Sequence, residues 1–69
     1  MKKITVTLNG QETSLPEGIT IAELIRNFEL DVKKVAVELD LEIVTPDMFG
    51  SATLKEGSRI EVVHFIGGG

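Results

Sequence analysis

The stretch Lys2-Lys3-Ile4-Thr5-Val6-Thr7-Leu8-Asn9-Gly10-Gln11-Glu12-Thr13-Ser14-Leu15 decides the fold. Ile4, Val6 and Leu8 point one way and Lys3, Thr5 and Thr7 the other, which is the period of a half-buried strand. Asn9-Gly10 is a strong signal for a two-residue hairpin, because a type I′ turn requires positive φ at both central positions. Gln11 to Leu15 then returns as a second, antiparallel strand. Pro16-Glu17-Gly18 ends it, since proline has no ladder N–H and glycine accepts a turn.

The pattern changes period after the hairpin. Thr20-Ile21-Ala22-Glu23 fits a capping box, in which the Thr20 hydroxyl accepts from the Glu23 amide and the Glu23 carboxylate reaches back. Ile21, Leu24, Ile25 and Phe28 fall at i, i+3, i+4 and i+7, one apolar face of a helix ending between Phe28 and Leu30. Ile19 stands where a hydrophobic staple onto Leu24 begins. Asp31-Val32-Lys33-Lys34 reads as a solvated connection. Val35 to Leu39 alternates again, Asp40-Leu41 makes a turn, and Glu42-Ile43-Val44 is a short strand. Thr45 to Gly50 is irregular, with Met48 or Phe49 as a core plug and Leu54 as another. Glu56-Gly57 turns the chain into a last strand from Arg59 to Phe65, with Ile60, Val62 and His64 on one face and Glu61, Val63 and Phe65 on the other.

The order strand, strand, helix, strand, short strand, strand predicts an α+β fold: a mixed sheet of four to five strands with one helix across one face. The first and last strands are expected to be central, parallel neighbours. This is the pattern of a β-grasp, or ubiquitin-like, fold. Residues 1–66 form the expected domain and residues 67–69 a flexible C-terminal glycine tail.

Size and composition narrow the function. A chain of 69 residues has room for one domain, with a stability of a few kcal/mol and no deep catalytic cleft. It has no cysteine, so disulfides, iron–sulfur clusters and a thiol nucleophile are excluded. No apolar run approaches the roughly 20 residues of a membrane span, and no signal-peptide pattern is present. A net charge of −4 argues against a nucleic-acid partner and permits steering toward a basic protein surface. No nucleophile–base pair, metal set or phosphate loop is apparent, so an enzyme is not expected. These features suit a cytoplasmic protein.

The end of the chain carries the chemistry. Val62-Val63-His64-Phe65-Ile66 stops and Gly67-Gly68-Gly69 follows. Glycine has no Cβ and loses more entropy on ordering than any other residue. The expectation is a thin thread that enters a channel too narrow for side chains and presents a terminal carboxylate there. An inert, frayed end is the alternative. Partner contact is expected on the sheet face away from the helix, through Ala36, Val63 and Phe65, with Ile66 beside them. His64 falls on the core side by alternation, which favours packing over catalysis or metal binding. Glu38, Asp40 and Glu42 read as a solvated acidic loop, with Ca²⁺ binding the alternative.

The layout, the Val35-Ala36-Val37-Glu38-Leu39 strand, the Leu54-Lys55-Glu56-Gly57-Ser58-Arg59-Ile60-Glu61 turn-and-strand and the Val62–Gly69 ending resemble the ThiS family, sulfur carriers of thiamine biosynthesis. The resemblance covers the whole chain. It departs at Asp40-Leu41, where Asn-Gly is common in the family. The resemblance implies that a ubiquitin-activating-like adenylyltransferase adenylates the Gly69 carboxylate with ATP. A sulfur-donating enzyme then makes a thiocarboxylate, which gives its sulfur to thiazole synthase. It also implies that Gly67 and Gly68 enter the partner's channel and that the carrier itself binds no cofactor. A molybdopterin-type sulfur carrier, a ubiquitin-like modifier and a β-grasp binding module with an inert tail are the alternatives.

Overall fold

The computed structural model describes residues 2–65. Strands β1 (Lys3–Leu8) and β2 (Gln11–Pro16) lead to helix α1 (Ile21–Asn27), then β3 (Val35–Leu39), β4 (Glu42–Val44) and β5 (Arg59–His64). They form a five-stranded sheet in the order β2-β1-β5-β3-β4, so the last strand is the middle one. β5 runs parallel to β1, as the strand pattern predicts, and antiparallel to β3. The hairpin also forms as expected: Asn9 and Gly10 have φ of 50° and 82°.

Alternation along the strands builds one core. Ile4, Val6 and Leu8 of β1, Val35 and Val37 of β3 and Ile60 of β5 are buried with Ile21, Leu24 and Ile25 of the helix. The irregular segment before β5 supplies the plugs: Phe49 is 2% exposed and Leu54 is equally buried, whereas Met48 stays half in solvent. Phe49 also closes the start of the helix. Its carbonyl accepts the Ala22 N–H at 2.9 Å, and the Ala52 carbonyl accepts the Ile21 N–H at 2.9 Å. Thr20 and Glu23 make the capping box, so the early helical N–H groups, normally orphaned, find acceptors. The Thr20 backbone N–H, aided by its hydroxyl and by Arg26, holds the Glu23 carboxyl below the usual range. That contribution to stability is complete above the ordinary carboxylate range and is lost as pH falls through the depressed value.

Two expectations about the core fail for geometric reasons. Phe28 is not the fourth member of the helix stripe. It is the C-cap and stands half-exposed, because the helix ends at Asn27. The Glu29 N–H bonds the Arg26 carbonyl and the Leu30 N–H bonds the Ile25 carbonyl, with Glu29 at φ 57°. This Schellman turn brings Leu30 back against the core in place of Phe28. His64 lies on the face its alternation assigns, yet it is exposed. Val35, its partner across the ladder, is buried, so at this end of the sheet the core closes over β3 and leaves the β5 side chain in solvent. Along β5, Ile60 is buried, Val62 is partly buried and His64 is exposed.

The β3–β4 hairpin is tight, and both turn residues, Asp40 and Leu41, have positive φ (51° and 74°). Asp40 has local compensation: its carboxylate accepts the Arg59 N–H at 2.9 Å. Leu41 has no such bond, and a bulky L-residue in the left-handed region costs about 1 kcal/mol or more.

Two stability predictions follow from this packing. Phe49→Ala removes a plug worth about 3–5 kcal/mol, comparable with the whole stability of so small a domain. Circular dichroism at room temperature should find it largely unfolded. Leu41→Gly should do the opposite, adding about 0.5–1 kcal/mol and raising Tm by about 4 °C. An unchanged or lower Tm would show that the turn is not strained.

Candidate functional site

The strand that leads toward the glycines is held from both sides. On the β3 side the register pairs Val35 with His64 and Ala36 with Val63, and the Phe65 N–H continues the ladder onto the Lys34 carbonyl at 2.7 Å. On the β1 side the parallel register has only two pairs, Thr7 with Arg59 and Leu8 with Ile60. Side chains and turns lengthen that short seam. Glu56 accepts the Thr5 N–H at 3.0 Å, and the Gly57 N–H donates to the Thr5 carbonyl at 2.8 Å. At the other end, the Asn9 carboxamide stands in for a peptide group. It accepts the Val62 N–H at 2.7 Å and donates to the Val62 carbonyl at 3.2 Å. Asn9 therefore does two things: it takes the positive φ of the hairpin, and it bonds the strand that carries the end of the chain.

The outer face of the sheet collects the expected contact residues. Ala36 lies directly across from Val63, and Phe65 emerges beyond them on the same face. Val63 and Phe65 are 55% and 56% exposed, and apolar side chains left in solvent on one face are what an interaction surface requires. Ile66, Gly67, Gly68 and Gly69 lie outside the described residues, as do the expected tail and the boundary between residues 66 and 67.

The face also holds residues that the sequence reading did not single out. The tight Asp40-Leu41 turn sets Leu39 opposite Glu42 and Glu38 opposite Ile43, which turns Ile43 outward. Ile43 is 78% exposed and Leu41 79%. The signal was available: once the turn is two residues long, the register fixes Ile43 on the face of Glu38. Glu38, Asp40 and Glu42 are all exposed at or beside the β3–β4 turn. Asp40 caps the Arg59 N–H, whereas Glu38 stands on the outer sheet face opposite Glu61. Among the described residues, no group of three His, Cys, Asp or Glu is placed to hold a metal ion. No helix among the described residues is long and apolar enough to cross a membrane.

The described residues thus form a β-grasp body with β5 at the middle of its sheet and exposed apolar side chains beside that strand's end. Comparison with known proteins narrows this: the chain belongs to the ThiS family, whose model matches residues 3–69. It is 35% identical to the sulfur carrier protein ThiS of Bacillus subtilis, over 90% of this chain and 96% of that one. It is 36% identical over 64 residues to a thiazole synthase of Paramagnetospirillum magneticum; this covers 93% of this chain and 20% of that protein. The chain thus spans about a fifth of the length of that relative. Among solved structures it is similar to the thiamine biosynthesis protein ThiS of Geobacter metallireducens. There the TM-score is 0.81 at 29% identity, over 96% of this chain and all of that one.

The Asn9 anchor yields a prediction. Asn9→Gly keeps the turn conformation but removes both bonds to Val62, and should cost about 1–2 kcal/mol. Amide hydrogen exchange at Val62 should accelerate more than at Val37. Equal acceleration at both would show that Asn9 has no special hold on β5.

Proposed function

We propose that this chain is a sulfur carrier protein of thiamine biosynthesis: a co-substrate that other enzymes act on rather than a catalyst. The reading is carried chiefly by the family match that runs through Gly69, on a chain whose last strand is the middle of its sheet. The names of the Bacillus subtilis and Geobacter metallireducens relatives support it.

The chemistry explains why a folded body would end in glycines. A carboxylate is a poor acyl donor, because oxide is its leaving group. When the Gly69 carboxylate attacks the α-phosphorus of ATP, pyrophosphate leaves and an acyl-adenylate forms. Sulfur at the sulfide level, as hydrosulfide handed over by the sulfur-donating enzyme, then attacks the acyl carbon, AMP leaves with the broken acyl–oxygen bond, and loss of the S–H proton gives the thiocarboxylate. The adenylyltransferase must hold the carboxylate in line with the phosphate in a site closed to water. A Cβ on Gly67, Gly68 or Gly69 would widen the thread where that site is narrowest. ATP is the partner's substrate and no cofactor stays on the carrier. The exposed face of Ala36, Val63 and Phe65, with Ile66, is the surface on which the partners dock.

Thiazole synthase is the proposed acceptor. A relative of that name carries a stretch similar to this chain over a fifth of its length, so carrier-like domain and synthase occur there in one polypeptide. Two such bodies on one chain are held at high effective concentration, which suits partners that must meet repeatedly. A sulfur-donating enzyme completes the set. Because these reactions consume ATP and require a stable acyl-sulfur group, we place the protein in the cytoplasm.

Intact-mass measurement of the protein from cells tests the reading. A species heavier by the difference between sulfur and oxygen, located at Gly69 by fragmentation, is expected. Gly68→Ala and Gly69→Ala should fold normally by circular dichroism yet lose most of their ATP-dependent activation. Activation of either variant at the rate of the unaltered chain would refute the narrow-channel requirement.

A further inference from the structure

Beyond Ile60 the two edges of β5 are held unequally. On the β3 side the ladder continues through Val62, Val63 and His64, and the Phe65 N–H extends it onto the Lys34 carbonyl. On the β1 side the ladder stops at Leu8 and Ile60, where the Asn9 N–H donates to the Ile60 carbonyl at 2.8 Å. Among the described residues, the last hydrogen bonds that β5 receives from that side are the two between the Asn9 carboxamide and Val62, at 2.7 and 3.2 Å. The hairpin itself does not require a carboxamide. Glycine and aspartate also suit a turn position with φ of 50°. Glycine, however, has no side chain, and an ionised aspartate only accepts. Asparagine alone among these turn residues accepts one bond and donates another. Both bonds are exposed, so water could solvate the same two Val62 groups. Water could not hold them at a fixed angle to β1.

We propose that Asn9 is a positioning residue for activation of the terminal carboxylate: by clamping Val62 it sets the direction in which the end of the chain is offered to the adenylyltransferase. The inference rests on the sulfur-carrier reading. Gly69 is the seventh residue after Val62. Drawn out straight in a partner's channel, such a segment reaches roughly 23 Å. A tilt of about 10° at Val62 would displace its end by about 4 Å. Misplacing a reacting group by about 1 Å can cost about a hundredfold in rate. The walls of the channel recapture part of that spread, so the loss expected here is smaller. In the same reading the body docks through Ala36, Val63 and Phe65, whereas the Asn9 carboxamide bonds in the plane of the ladder. The clamp therefore acts after docking, on the fraction of bound carriers whose carboxylate lies in line with the α-phosphorus.

The test uses the purified chain, ATP and a ubiquitin-activating-like adenylyltransferase that is active on another ThiS carrier. Single-turnover pyrophosphate release at increasing enzyme excess gives a limiting rate and a half-saturating concentration. The unaltered chain is compared with Asn9→Gly, with Asn9→Asp, and with Ile25→Val, which shortens a buried helix side chain. All are assayed at a temperature where circular dichroism finds them folded. For Asn9→Gly the limiting rate should fall about tenfold while the half-saturating concentration stays within about twofold. Asn9→Asp still accepts the Val62 N–H and should lose only about threefold. Ile25→Val should keep the limiting rate of the unaltered chain. An unchanged limiting rate in Asn9→Gly overturns the proposal. So does an equal fall in Ile25→Val, which would reduce Asn9 to a general stabiliser. An effect confined to the half-saturating concentration also overturns it, because Asn9 would then belong to the docking surface. Failure of the unaltered chain to release pyrophosphate would instead defeat the carrier reading itself.

Discussion

The seam between the first and last strands is the constraint on which the rest of the structure depends. Parallel strands cannot be joined by a short turn, so the chain must cross over, and the helix and irregular segments between β1 and β5 make that crossing. The ladder formed at the end of it is only two residue pairs long. Glu56, Gly57 and the Asn9 carboxamide extend it at both ends with bonds that imitate peptide pairing. A strand inserted between β1 and β3 cannot leave without breaking both ladders. The end of the chain is therefore mounted on the element that is hardest to displace.

Much of this was legible in the sequence. Asn9-Gly10 fixed a hairpin through a local rule about positive φ, and Thr20 and Glu23 fixed a helix start through a local bonding rule. Alternation in Lys3–Leu8, Val35–Leu39 and Arg59–His64 named nearly all of the sheet's core. Phe28 and His64 were misplaced because periodicity carries no information about where an element stops or how far its neighbour extends. A Schellman turn with Glu29 at its left-handed position ended the helix before Phe28, with no glycine to announce it.

The outer face was half legible. Ala36, Val63 and Phe65 follow from alternation alone, and the structure gathers them at one end of the sheet. Ile43 and Leu41 needed the register of a two-residue turn whose sequence does not suit it. Asp40-Leu41 gives no type I′ signal, yet both residues adopt the conformation that Asn9-Gly10 adopts at the other hairpin. Tertiary pairing overrides local preference there. The roles of Asn9 toward Val62 and of Glu56 toward Thr5 were also hidden, because each joins residues more than fifty positions apart.

Small size makes such substitution of parts economical. The domain has no cysteine and little room for a larger core, so hydrogen-bonded turns and caps carry weight that packing carries in bigger proteins. What the body then offers is a well-braced middle strand and an apolar face beside it.

The most direct measurement of the proposed carrier role follows pyrophosphate release when the purified chain meets a ubiquitin-activating-like adenylyltransferase and ATP, once with a free Gly69 acid and once with Gly69 amidated. The free acid should release about one pyrophosphate per chain, since one carboxylate is activated per carrier. The amidated chain should release none. Equal release from both forms would mean that the reactive group is not the Gly69 carboxylate.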